Sequence, residues 1–133
     1  MSVAELDALP CPCGAGPSLA DCCGRYHHGA LQGLAPTPEA LMRSRYAAFV
    51  LDRRDYLLAT WAEPERPAQI EPPEAGLKWL GLTVKGHGLT TPDEGWVHFV
   101  ARYKVAGRAF RLEERSLFHR LDGRWLYVRA LQD

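Results

Sequence analysis

Chemistry in this chain is concentrated first in its cysteines. All four fall within thirteen positions, at Cys11, Cys13, Cys22 and Cys23. A disulfide scaffold spreads its cysteines to staple distant loops, and this clustering does not. A bridge between neighbours such as Cys22 and Cys23 would be strained. The spacing C-x-C-x8-C-C suits a metal instead, since zinc takes four soft ligands in a tetrahedron with each sulfur about 2.3 Å away. Four thiolates would close the coordination sphere, so the expected zinc is structural, whereas a catalytic zinc keeps one position open. Gly14 and Gly16 permit the tight backbone that closely spaced thiolates need. Amides of such a loop can donate to the sulfurs. His27 or His28 is close enough in sequence to replace one cysteine. The plainer alternative is four reduced, unligated thiols.

A second candidate lies on the segment 109–121, where Phe110, Leu112, Glu114, Ser116 and Phe118 alternate with Arg111, Glu113, Arg115, Leu117 and His119. The first set is mainly apolar and should face inward. That carries Glu114 and Ser116 into a core or a pocket, where a carboxylate needs a partner or an altered pKa. Glu114 is therefore the one candidate general acid or base. The competing reading is a structural acid paired with Arg43 or Arg45, or bonded to Ser116, which would anchor a helix to the sheet. A β-bulge would flip the parity and undo either assignment. His87 is expected in a loop or at a strand end, beside Gly86 and Gly88. No nucleophile with an ordered His and Asp can be argued, and Lys85-Gly86-His87-Gly88 lacks the spacing of a phosphate loop.

The elements that must position these groups can be read from pattern. Thr37-Pro38-Glu39 is a helix start, and Leu41, Met42, Arg45, Tyr46, Phe49 and Val50 recur at helical spacing, so 38–51 is expected to be a helix. Asp55 should cap a second, shorter helix over 56–61. Four prolines in 62–76 predict an exposed connection. Strands are expected at 77–84, 95–105, 109–121 and 124–131. Turns at Ala106-Gly107-Arg108 and Asp122-Gly123 should join the last three. On the second strand, Val97, Phe99, Ala101, Tyr103 and Val105 should share one face, and Trp96, His98, Val100, Arg102 and Lys104 the other. Helices followed by long antiparallel strands make an α+β fold with helices on one face of a curved sheet.

The segment CPCGAGPSLADCCGRYHHG resembles the SEC-C motif, a short zinc-binding module. The resemblance implies Cys11, Cys13, Cys22 and Cys23 as ligands and a protein partner recruited through the module. PTPEALMRSRYAAFVLDRRDYLLATW, LKWLGL, FVARYKVAG and LEERSLFHRLDGRWLYV extend the similarity to the bacterial YchJ-like family. That family joins the zinc motif to a nuclear transport factor 2-like cone and has no established biochemical function. The implied division is a zinc module over 1–30 and a cone domain over 31–133, with 29–36 as linker. Enzymes of this cone fold, such as steroid isomerases, place acids inside the pocket. On that resemblance Tyr46, Trp61 and Ser116 are expected to line one cavity with Glu114.

Composition narrows the functions. The chain has 133 residues, 47% of them apolar, with 16 basic against 16 acidic side chains. That is an ordinary globular composition. No apolar run is long enough to span a bilayer. The first ten residues lack the basic and apolar regions of a secretory signal, so a cytoplasmic protein is expected. Zero net charge hides a separation, because residues 96–131 hold eight Arg or Lys against three acids. Aromatic residues interleave with these bases, as in single-strand nucleic-acid binders, but the bases fall on both sheet faces, so such binding is not expected. The leading expectation is a noncatalytic zinc-bearing adaptor that docks a protein, with a possible homodimer through the sheet. The alternative is an enzyme or carrier for a small apolar molecule in the cone. A sizeable pocket with Glu114 in it and no arginine partner would favour the alternative.

Overall fold

A computed structural model describes residues 2–131. Four helices, α1 (Val3–Ala8), α2 (Gly24–His27), α3 (Pro38–Leu51) and α4 (Arg54–Ala59), precede a one-turn 3-10 segment at Glu63–Glu65. Four strands come after it: β1 (Leu77–Thr91), β2 (Glu94–Val105), β3 (Arg108–Leu121) and β4 (Arg124–Ala130). They form one antiparallel meander in sequence order. The α+β architecture expected from the pattern is present.

The principal helix α3 begins as its sequence dictates. Thr37 Oγ1 accepts the Ala40 amide at 3.0 Å and Pro38 occupies the first turn. It ends where Asp52 enters the left-handed region at φ 57° and returns its amide to Ala48 and Phe49. That reversal starts α4 at once. Asp55 therefore sits in the first turn of α4 instead of capping it, a correction to the expected 56–61 helix. After α4 the chain runs beside β4: Tyr127 donates its amide to Thr60 O, and Ala62 donates to Tyr127 O. The backbone pairing holds Trp61 next to Tyr127.

Helix α3 is buried on more than one side. Leu41, Met42, Tyr46, Ser44, Ala47 and Ala48 are all buried, and Phe49 is not. The sheet covers one side, and the cysteine segment covers another. Cys11, Cys13, Leu19, Cys22 and Cys23 belong to the same apolar cluster as Leu41, Val97, Phe118 and Trp125. Each fully buried Leu, Val or Phe contributes about 1.5–3 kcal/mol. Apolar packing of this kind holds helix to sheet, and His87 Nε2 of β1 meets Glu39 Oε1 of α3 at 3.0 Å beside it.

β1 is longer than the expected 77–84. The stretch Lys85-Gly86-His87-Gly88 is strand, and His87 pairs with Val97 in the middle of a ladder. The glycines need no side chain there because the Trp96 ring lies over them: a Cβ on Gly88 would fall 3.1 Å from Trp96 Nε1. β2 and β3 pair without interruption from Glu94↔His119 to Val105↔Arg108, so the parity of β3 is preserved. A register shift at Leu117/Phe118 affects only the pairing with β4. Val97, Phe99 and Ala101, which share one face of β2, are buried. The two tight turns at Ala106-Gly107 and Asp122-Gly123 have positive φ at both residues, the geometry that suits twisted hairpins.

Candidate metal centre and cone pocket

The head is built around a tight return of the chain. Leu19, fully buried, sends its amide to Leu9 O at 2.8 Å, and its own carbonyl receives the amides of Cys22 and Gly24. These bonds swing Cys22 and Cys23 back against Cys11 and Cys13. The sulfurs lie 3.5 Å apart for Cys11–Cys13, 3.6 Å for Cys13–Cys22 and 4.0 Å for Cys22–Cys23. All four lie within 4.8 Å of one another and all four residues are buried. A tetrahedron with metal–sulfur bonds of about 2.3 Å has edges of about 3.8 Å, so the four thiolates fit one soft ion. Gly16 is required by space: a Cβ there would meet Cys22 Cβ at 2.5 Å and Cys22 Sγ at 2.8 Å. The Ala15 amide donates to Cys13 Sγ at 3.4 Å.

Without a metal these thiols cannot all ionise. The Cys11 and Cys23 thiols donate to Cys13 and stabilise it as thiolate. Burial first, then the hydrogen bond to Cys13 and the negative charge there, pushes Cys22 up to about 11. Hydrogen bonding to Cys11 and Cys13, then burial, drives Cys23 higher still. A bound cation reverses this by neutralising the thiolates. Neither histidine joins the set. Arg53 Nη1, always a donor, lies 2.8 Å from His27 Nδ1, so Nε2 carries the proton and donates to Ser44 O at 2.7 Å. Both ring nitrogens of His27 are thereby occupied. His28 is exposed, with Nε2 3.9 Å from Asp7 Oδ1.

A cavity of about 290 Å³ opens between α3 and the sheet. The structure brings all four expected pocket residues, Tyr46, Trp61, Glu114 and Ser116, to its walls. Met42, Phe49, Trp79, Phe99 and Leu112 supply most of the remaining apolar lining. At the polar end, Ser116 Oγ donates to Glu114 Oε2 at 2.6 Å and Tyr127 OH donates to the same oxygen at 3.1 Å. Burial, then the charge of Glu114, holds the Tyr127 hydroxyl well above its ordinary range, so it stays a donor. Among the described residues Glu114 Oε1 has no hydrogen-bond partner.

Of the structural partners open to Glu114, Ser116 is met at 2.6 Å, whereas neither Arg43 nor Arg45 makes an ion pair with it among the described residues. Residues two apart on a helix point to opposite sides. Arg43 turns to the head, donating to Cys13 O at 3.1 Å and to Glu39 at 3.0 Å. Arg45 turns to the pocket, where it is only 4% exposed. Its Nη1 donates to Leu57 O and Thr60 Oγ1, both at 2.8 Å. Its guanidinium lies over the Trp61 and Tyr127 rings, 5.1 Å and 4.8 Å from their centroids. Burial lowers its pKa to about 10, which leaves it charged at neutral pH. Arg45 was visible in the sequence as the cation inside an apolar stripe. Tyr127 carried no comparable signal, because its place depends on the shifted pairing of β4.

Known proteins match this arrangement along nearly the whole chain. A family model described as YchJ, middle NTF2-like domain, matches residues 37–130. A UPF0225 protein of Methylibium petroleiphilum is 62% identical over 120 residues, covering 90% of this chain and 86% of its own. One of Bordetella pertussis is 52% identical over 118 residues, covering 89% of each. The solution structure of a SEC-C motif containing protein from Rhodopseudomonas palustris superposes with a TM-score of 0.78 at 31% identity, over 94% of this chain and 99% of that one. A crystal structure of a SEC-C motif containing protein from Psychrobacter arcticus has a TM-score of 0.77 at 24% identity, over 97% of this chain and 86% of that one, a likeness of fold.

Proposed function

The chain belongs to the YchJ-like family, with an NTF2-like domain over residues 37–130, and on that footing we propose that it is a zinc-stabilised receptor for a small, largely apolar molecule. The observation that carries this reading is Glu114, whose Oε1 has no partner among the described residues at the polar end of an apolar cavity. A filled interior or an arginine-paired Glu114 would have favoured a purely structural cone. The lining contains one acid, Glu114, so it is the group able to exchange a proton with a bound molecule.

Zinc is the ion the donor set favours, since four thiolates select soft tetrahedral cations. Its role is structural because no coordination position is left open. Among the described residues no helix is long and apolar enough to cross a membrane. Reduced thiols at the centre agree with a cytoplasmic location. The head has a second use in this reading, as a docking point for a protein partner. Val3 and Leu9 on the head, and Leu31 and Leu34 on the adjoining linker, are each at least 40% exposed. Native mass spectrometry of gently purified protein tests the main reading. The expected spectrum shows one zinc per chain and a small molecule released on denaturation. Zinc-free protein with four freely titrating thiols would remove the metal assignment. A chain that carries no small molecule and binds none from a metabolite extract would remove the receptor assignment.

A further inference from the structure

Resting on the receptor reading, we infer that the cone takes a neutral hydroxyl compound, a phenol or an alcohol on an apolar body, held with its hydroxyl on Glu114 Oε1 and its body toward the mouth of the cavity. The donor requirement comes from Glu114. Ser116 and Tyr127 both donate to Oε2 and fix the carboxylate, while Oε1 has no protein donor among the described residues. Nor is Oε1 sealed in. The buried side-chain atoms without partners among the described residues are Asp7 Oδ1 and Trp61 Nε1, so Oε1 retains surface that a group in the cavity can reach. A carboxylate offers acceptors only, and a hydroxyl that donates to it makes one of the stronger kinds of hydrogen bond.

Orientation comes from β3. Its cavity-facing residues pass from exposed Leu112, through half-buried Glu114, to fully buried Ser116. Phe49, on the facing helix, is also exposed. Leu112 and Phe49 therefore mark the open end, and a hydroxyl that reaches Glu114 leaves the apolar part of its molecule beside them. Neutrality comes from the charges, which Tyr127 ties together. Its hydroxyl lies on Glu114 Oε2 at 3.1 Å, and its ring centroid is 4.8 Å from the Arg45 guanidinium. Glu114 thus already has a cation on the same wall, which a ligand ammonium would have to approach. An ammonium would also bring three donors to a cavity lined mainly by aromatic and aliphatic side chains, and an anion would bring no proton for Oε1. A hydroxyl supplies one donor and no charge. The volume of about 290 Å³ lies at the small end for ligand pockets, so compact probes suit it.

The test uses four naphthalene probes on the full zinc-loaded chain: 2-naphthol, 2-methoxynaphthalene, 2-naphthoate and 2-naphthylmethylamine. Affinities are read by ligand-observed NMR. 2-Methoxynaphthalene keeps the rings and the oxygen but has no proton to donate. 2-Naphthol is expected to bind at least about tenfold more tightly than the methyl ether and than either charged probe. Glu114→Gln should bring 2-naphthol and 2-methoxynaphthalene to equal affinity, because Ser116 and Tyr127 hold the amide oxygen and turn an NH₂ donor toward the ligand. In the wild-type complex, the ring remote from the hydroxyl should show NOEs to the Leu112 methyls. Equal binding of 2-methoxynaphthalene, or tighter binding of either charged probe, would overturn the hydroxyl class while leaving the receptor reading intact. So would a 2-naphthol preference that survives Glu114→Gln, or Leu112 NOEs from the hydroxyl-bearing ring. Failure of all four probes to bind would overturn both. The wild-type comparison decides the matter even if the variant does not fold.

Discussion

Arg43 Nη1 donates to the carbonyl of Cys13 at 3.1 Å, joining α3 to a residue thirty positions earlier. The next residue, Ser44, receives the His27 Nε2–H on its carbonyl and the Tyr56 hydroxyl on its Oγ. The residue after that, Arg45, enters the cone pocket. Three consecutive residues thus touch the cysteine loop, the buried histidine and the cavity in turn.

Metal removal is expected to reach beyond the head. Stripping the ion, or Cys22→Ser, should cost several kcal/mol and lower Tm by about 10 °C or more. Amide exchange should accelerate through residues 9–28 and the first half of α3, while β2 and β3 keep their protection. Exchange confined to the first thirty residues would show that the Arg43 link does not transmit the loss.

Acid is expected to destabilise the fold through His27. Burial lowers its folded pKa from 6.5 to about 4. The native state needs the neutral ring, so this contribution is complete above pH 6.5 and declines as pH falls toward 4. Between pH 7.5 and 4.5 it amounts to about 2–3 kcal/mol. His27→Gln keeps a donor for Ser44 O and removes the titration. Denaturant melts at both pH values should show a smaller acid loss in that variant, and equal losses would assign acid sensitivity elsewhere, the thiolates included.

Gly16→Ala places a methyl group against Cys22 and should weaken metal binding by about 10–100-fold. Chelator competition on the cobalt-substituted protein measures this directly. Unchanged affinity would mean that the Cys22 side of the loop can retreat.

Arg45→Met removes the buried cation and the 2.8 Å donor to Leu57 O, leaving that carbonyl only Thr60 Oγ1 at 3.4 Å. A cost of about 1–3 kcal/mol is expected in thermal or urea melts. Charged probes should respond in opposite senses, with 2-naphthylmethylamine gaining affinity beside Glu114 and 2-naphthoate losing it. Parallel changes for both would indicate collapse of the cavity.

Much of this organisation was legible because it is local. The cysteines sit close enough in sequence that spacing alone indicates a metal. β3 could be oriented because its pairing with β2 carries no bulge, so Glu114 and Ser116 arrive on the inner face together. β1 was read too short, since its glycines depend on the Trp96 ring of the neighbouring strand for cover. Asp55 looked like a helix cap, but the left-handed Asp52 had already turned the chain. Of the partners open to Glu114, Ser116 is met two residues along the same strand face, and the arginines are not, for a similar reason. Which group meets Arg45 depends on the return of residues 57–60 beneath α3, and no pattern in α3 itself contains that return.

The adjacency of Arg43, Ser44 and Arg45 also limits how this chain can tolerate rearrangement. Each residue added to a helix rotates every later side chain by about 100° around its axis. One insertion between Cys23-side contacts and the pocket-facing turn of α3 would aim Arg45 away from Trp61 while leaving both the cysteine loop and the sheet sequence untouched. Length variation among relatives should therefore collect in residues 62–76 and at hairpin tips, and be scarce within α3. A graft intended to move the thiolate loop onto another scaffold would have to carry the opening turns of α3 with it.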